Sequence, residues 1–185
     1  MSSKKSICNY LVQDALSNES ECNREILHKK SFDINMRLFK ASIGYKSLIL
    51  SVAKYMGTVT KKKFSDYSTP QGISGANIGV PLNIVGVKLT ESAAKVCCGH
   101  VGEMFFMLNP KVLYQSPETV ITKSNCGSIR LPEKIEVKRH KEIEISYYDI
   151  SGKENRGKFH GVFACTLAHE IDHNLGILIT DNGDK

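Results

Sequence analysis

Near the C-terminal end of the chain, His169-Glu170-Ile171-Asp172-His173 places two histidines four residues apart inside an otherwise apolar run. That run, GVFACTLAHEIDHNLG, predicts a buried helix of about four turns, preceded by Gly161 and ended by Gly176. Residues four apart lie on one helical face, so both imidazoles can bind a single divalent ion. Glu170 follows the first histidine and can reach water at that ion, first to take a proton and then to hand it to a leaving amine. Two histidines left unpaired on an apolar helix would be costly, so an ion held by His169 and His173 is the expectation.

The pattern then asks for a third ligand. In an extended HExxHxxGxxH motif, Gly176 fits but the last ligand position falls on Ile179, which cannot bind a metal. Downstream of His173 the only carboxylates are Asp181 and Asp184, close to the end of the chain. The third ligand is therefore expected from upstream.

The rest of the composition is that of an ordinary globular chain, 185 residues with 41% hydrophobic and 24% charged, which suits one domain with a real core. Residues 1–25 read as a polar N-terminal extension and residues 26–185 as one domain. No run is long and apolar enough to span a bilayer, and the N-terminus lacks the apolar stretch of a secretory signal. Asp14, Glu19 and Glu21 argue against a transit peptide. A cytoplasmic location is expected, with an organelle left open, and no membrane partner. The six cysteines form no CxxC pair, so free thiols are expected rather than a disulfide frame or a cysteine-rich zinc site. The net charge of +6 gathers partly in Lys61-Lys62-Lys63 and Lys138-Arg139-His140-Lys141. Lacking interleaved aromatics, these runs read as solvated faces rather than a specific nucleic-acid surface.

Periodicity predicts a helix over 34–56 stopped by Gly57, and a loop over 58–70 leading into PQGISGANIGVP. Strands are expected at Leu82–Leu89, at 104–110 ending in Asn-Pro, and near Val112–Tyr114, Ser128–Leu131, Ile135–Lys138 and Ile143–Asp149. A loop is expected over 90–102 and a turn over Asp149–Gly152. Helix, many strands, helix points to an α+β fold of mostly antiparallel β-sheets packed around the C-terminal helix that carries HExxH.

Taken together, these segments resemble the peptide deformylase family, whose three motifs are GxGφAAxQ, EGCφS and HExDH, with φ apolar. HEIDH stands intact and is followed by NLGILITD. Pro70-Gln71-Gly72-Ile73-Ser74-Gly75-Ala76-Asn77 aligns with the first motif and continues into Ile78-Gly79-Val80-Pro81-Leu82. MLNP at 107–110 and SYYDISGKE at 146–154 also look like family sequence. The resemblance implies removal of the formyl group from the N-terminal methionine of nascent chains, with formate and a free amine as products. It implies one divalent ion, iron in the cell, with zinc or nickel as alternatives. It makes Glu170 the acid/base, and the Ile129 backbone N–H and the Asn77 amide the donors to the developing oxyanion. Substrate would run beside strands carrying Gly72, Ile73 and Ile129, with Val162, Cys165 and Thr166 near the methionine pocket.

Two motifs depart from the pattern. Asn77 stands where the family has glutamine, one methylene longer. Aligning Cys126-Gly127-Ser128-Ile129-Arg130 with the second motif puts Ser128 at the metal-binding cysteine, Cys126 at the glutamate and Arg130 at the serine. On that alignment Ser128, or water in its place, is the expected third ligand. Cys126 is the alternative; on a strand it would lie about 6.5 Å from Ser128, so using it requires a two-residue slip. Besides a hydrolase with an altered site, the sequence supports a degenerate member that binds metal or formyl-peptides without turnover, and a ribosome-associated binding module.

Overall fold

The computed structural model describes residues 25–63, 70–97, 99–129 and 131–182. The extension through residue 24, the polar stretch 64–69, Cys8, Cys22, Cys98 and Arg130 lie outside the described residues.

Helix α1, Met36–Ala41, is opened by Asn35, whose Oδ1 accepts the Leu38 N–H at 3.0 Å. After Ser42 the chain re-enters helix α2, Ile43–Lys63. The expected single helix is thus broken once, and it passes Gly57 rather than stopping there. Gly57 faces β3: a Cβ there would make an ordinary contact with Met104 Cγ at 3.5 Å. Ile49, Ala53, Met56 and Thr60 make the buried stripe of α2 at helical spacing.

Strands β1 (Gln71–Ser74), β2 (Ile84–Lys88), β3 (Met104–Gln115), β6 (Glu142–Tyr148) and β7 (Glu154–His160) form one antiparallel sheet in the order β1-β2-β3-β6-β7. Strands β4 (Thr119–Ser124) and β5 (Ile135–His140) make a separate hairpin. Helix α3, Glu91–Cys97, occupies part of the expected 90–102 loop, with Ala93 and Ala94 buried. Helix α4, Gly161–Asn174, is the predicted C-terminal helix.

The sheet is covered on both faces. Val85, Val87, Met107, Ile143, Ile145 and Phe159 meet Phe163, Ala164, Leu167 and Ile171 of α4. On the opposite face Ile73, Ile84 and Leu108 meet Phe39, Ile49, Ala53 and Met56 of α1 and α2. Burial on both sides explains why all five residues of β2 are buried, the apolar Ile84, Val85 and Val87 as well as Lys88.

Two boundaries differ from expectation for visible reasons. Asn109-Pro110 does not end its strand: Asn109 takes φ 51°, the register with β6 shifts between Leu108 and Lys111, and β3 runs on to Gln115. Asn109 also ties the chain entering α1 to the sheet, its Oδ1 accepting from Ile34 N at 2.7 Å and its Nδ2 donating to Ile34 O at 2.8 Å. The strand expected at Ser128–Leu131 is absent; residues 127–129 form a turn between β4 and β5. The Asp149–Gly152 turn forms as expected, with Gly152 N–H donating to Asp149 O at 2.9 Å.

Candidate metal centre

Helix α4 puts His169 and His173 on one face with ring centroids 4.6 Å apart and their Nε2 atoms at 3.2 Å. The turn after β4 brings Cys126 Sγ to 3.3 Å from His173 Nε2. One ligand atom from each of Cys126, His169 and His173 falls within 4.8 Å of the others. Tetrahedral zinc-type bonds of about 2.0–2.3 Å set ligand atoms roughly 3.3–3.8 Å apart, so this cluster has the right size for one ion.

Where Ser128 was the expectation, the side chain that the structure brings to the two imidazoles is that of Cys126. The thiol of Cys126 joins the two imidazoles, while Ser128 Oγ lies beside it, accepting from Asn77 Nδ2 at 2.7 Å. In a strand over residues 126–128, exchanging Ser128 for Cys126 would require a two-residue slip. The chain turns here instead, so no strand register fixes which side chain faces the helix. The Asn125-Cys126-Gly127 composition was the available signal for a turn.

Burial controls the electrostatics. It pushes His169 down to about 3, helped by His173 and Arg139, and His173 down to about 4, helped by Arg139. Both rings are neutral at ordinary pH and offer lone pairs. Burial raises the Cys126 thiol and the nearby Glu170 carboxylate adds to this, while the backbone N–H groups of Ser128 and Ile129 and the Ser128 hydroxyl act the other way. An ion would complete the balance by converting the thiol to thiolate. His173 Nδ1, although buried, has no hydrogen-bond partner among the described residues.

Glu170 is buried on the same helix, and its carboxylate lies against the backbone of Gly72 on β1. Strand alternation separates the two neighbouring residues expected to meet substrate. Gly72 faces Glu170, whereas the Ile73 side chain is in the core beside Phe39 and Ile49. Asn77 stands on the single turn Ala76–Ile78 directly after β1. Val162 lies in the first turn of α4, 61% exposed, and Cys165 is half-buried one turn before His169. The structure thus gathers Cys126, His169, Glu170, His173, Gly72, Asn77 and Ser128 around one centre and leaves the Ile73 side chain on the far side of the sheet.

Arg139 was not singled out in the sequence. It reaches from β5 to Asp172 within the motif, Nη1 to Oδ2 at 2.5 Å, both side chains largely buried. Burial raises the Asp172 carboxyl and the guanidinium opposes that shift. The basic run 138–141 is accordingly no patch: besides Arg139, His140 Nδ1 meets Ser116 O at 2.6 Å and Lys141 pairs with Glu118 at 3.1 Å.

The polypeptide deformylase family model matches residues 20–185. The peptide deformylase of Rhizobium meliloti (strain 1021) is 33% identical over 111 residues, which are 60% of this chain and 59% of that protein. That of Wolbachia sp. subsp. Drosophila simulans (strain wRi) is 36% identical over 111 residues, 58% of this chain and 60% of the relative. The chain spans about three-fifths of the length of such relatives. Among solved structures, a probable peptide deformylase from Synechococcus phage S-SSM7 superposes with a TM-score of 0.68 at 25% identity, covering 85% of this chain and 93% of that one. A class I type b peptide deformylase from Acinetobacter baumannii gives a TM-score of 0.69 at 21% identity over 85% of this chain and 92% of that one, a likeness of fold.

Proposed function

Because the chain belongs to the polypeptide deformylase family, we propose that it is a metal-dependent hydrolase that removes the N-formyl group from the N-terminal methionine of nascent polypeptides. The observation that carries this reading is the convergence of Cys126, His169 and His173 on one point, with Glu170 next to it on α4. The unit that does the work is the single domain expected over residues 26–185.

Neutral imidazoles and a thiol of this spacing suit iron, zinc or nickel, which Cys126, His169 and His173 would hold. When bound, the ion would supply Lewis acidity, which makes water a competent nucleophile at neutral pH. Everything else is done by the chain. Glu170, against Gly72, takes the proton from the attacking water. The formyl C–N bond breaks, the water oxygen stays with formate, and Glu170 returns a proton to the amine nitrogen. Asn77 Nδ2, which keeps a second N–H besides the one given to Ser128, and the Ile129 N–H, once released from Cys126, would be the donors to the charge that develops on the formyl oxygen.

Strand β1 is at the end of its sheet and bears no further strand on its outer side among the described residues. A peptide laid along that edge would exchange main-chain hydrogen bonds with β1, so Gly72 and Ile73 serve through their backbones. Val162 and Cys165 would flank the methionine side chain. The setting is the cytoplasm or an organelle that makes formylated chains, and a ribosome-bound enzyme would meet its substrate at the exit site.

Purified protein supplied in turn with iron, nickel and zinc should release formate from a formyl-methionyl peptide. Silence under all three rejects turnover. A second reading, binding without turnover, draws on one observation: Asn77 Nδ2 is already engaged by Ser128 and the Ile129 N–H by Cys126. Stoichiometric peptide binding with no formate under any metal would select it.

A further inference from the structure

The carboxamide of Asn77 is held from behind by one residue. The Ser74 backbone N–H donates to Asn77 Oδ1 at 2.6 Å, and the Ser74 hydroxyl donates to the same oxygen at 2.7 Å. A backbone N–H can only donate, so the atom facing Ser74 is the carbonyl oxygen and the amide has a single orientation. Nδ2 is thereby turned the other way, donating to Ser128 Oγ at 2.7 Å, in the turn that carries Cys126. The Asn77 N–H points back at Ser74 Oγ at 3.4 Å. Ser74 is fully buried, so its hydroxyl has no solvent to turn to instead.

The family pattern has alanine at the position of Ser74 and glutamine at that of Asn77. Alanine has no hydroxyl to give, and glutamine is one methylene longer. Two departures from the pattern thus touch each other. Rotation about the last side-chain bond of asparagine is broad and roughly two-fold, so an unanchored amide can present oxygen where N–H₂ is needed. An oxygen turned toward developing negative charge repels it; an N–H₂ stabilises it.

We propose that Ser74 is a positioning residue for Asn77, and that the two form a matched pair in which the buried hydroxyl lets a short carboxamide present its N–H₂ beside the metal centre. The kinetic consequence rests on the deformylase reading; the orientation of the amide does not.

The test uses the full chain as wild type, Ser74→Ala, Asn77→Gln and the double variant. Each is loaded with nickel for formate release from a formyl-methionyl tripeptide, and each is prepared metal-free with ¹⁵N label for the Asn77 side-chain amide signals. Each single change should lower kcat about tenfold with KM within about twofold, as for a donor displaced rather than deleted. The double variant restores the family's alanine–glutamine pair and should exceed the product of the single effects by about tenfold. In the wild type the Nδ2 protons should be slow to exchange with solvent and shifted from the positions of a free carboxamide, and Ser74→Ala should speed their exchange and return them toward those positions. The pair is refuted by single effects that simply multiply. It is also refuted by a Ser74→Ala protein that loses Tm while kcat and the Asn77 signals stay unchanged. If wild type releases no formate with any ion, the assigned reaction fails and the amide signals alone decide: faster exchange and free-carboxamide positions in Ser74→Ala uphold the role of Ser74, and unchanged signals reject it.

Discussion

Gly72 and Glu170 approach so closely that residue 72 has no room for a side chain: a Cβ would lie 2.6 Å from Glu170 Oε1 and 2.4 Å from Cγ. The glycine on β1 therefore sets where the carboxylate of α4 can stand. Gly72→Ala should displace Glu170 and lower kcat at least about tenfold, with a stability loss of about 1–3 kcal/mol from overpacking. Paired kcat and urea-unfolding measurements check this. Unchanged kcat would mean that the position of Glu170 against Gly72 is immaterial to the reaction.

Cys126, rather than Ser128, should control metal loading. Replacing the thiol in Cys126→Ser should lower metal affinity by more than about tenfold, since a neutral hydroxyl is a poor ligand. Ser128→Ala should keep one ion per chain and lose activity only through the Asn77 contact. Elemental analysis after dialysis against a chelator distinguishes them, and equal retention by both variants would return the third ligand to open question.

Acid should destabilise the metal-free protein through its histidines. Folded-state values of about 3 for His169 and about 4 for His173 lie below the ordinary 6.5, so the unfolded chain binds more protons as pH falls through 6.5. The stability associated with the neutral rings is present above 6.5 and is lost as pH falls toward the folded values. Asp172, raised by burial, works in the opposite sense lower in the range. Urea midpoints of chelated protein should therefore drop from about pH 7 to about pH 5. A flat profile would contradict neutral buried imidazoles.

Arg139 and Asp172 should behave as a coupled pair. Arg139→Met removes a largely buried partner from Asp172 and should destabilise by about 3 kcal/mol. Adding Asp172→Leu should recover much of that, because no carboxylate is then left in the site. Thermal unfolding of the single and double variants measures the coupling; additive losses would show that the two act separately.

The parts legible in the sequence were those with a local period or a local motif. Helix α4 declared itself through an apolar run between Gly161 and Gly176, and β2 through the apolar residues Ile84, Val85 and Val87. Strand β7, by contrast, buries only Phe159 and reads as polar; it is held by pairing along its whole length with β6. Asn109-Pro110 looked like a stop because its αL bulge depends on Ile34, far away in sequence.

The same division runs through the site. Sequence alone determined that two imidazoles and a carboxylate share one helix, because a period of 3.6 residues per turn is intrinsic to the backbone. Which side chain of the β4–β5 turn stands beside the imidazoles, that Arg139 reaches Asp172, and that Ser74 bonds Asn77 were decided only in three dimensions. A turn has no fixed period, and those contacts join segments whose approach depends on how the sheet, the hairpin and α4 pack together.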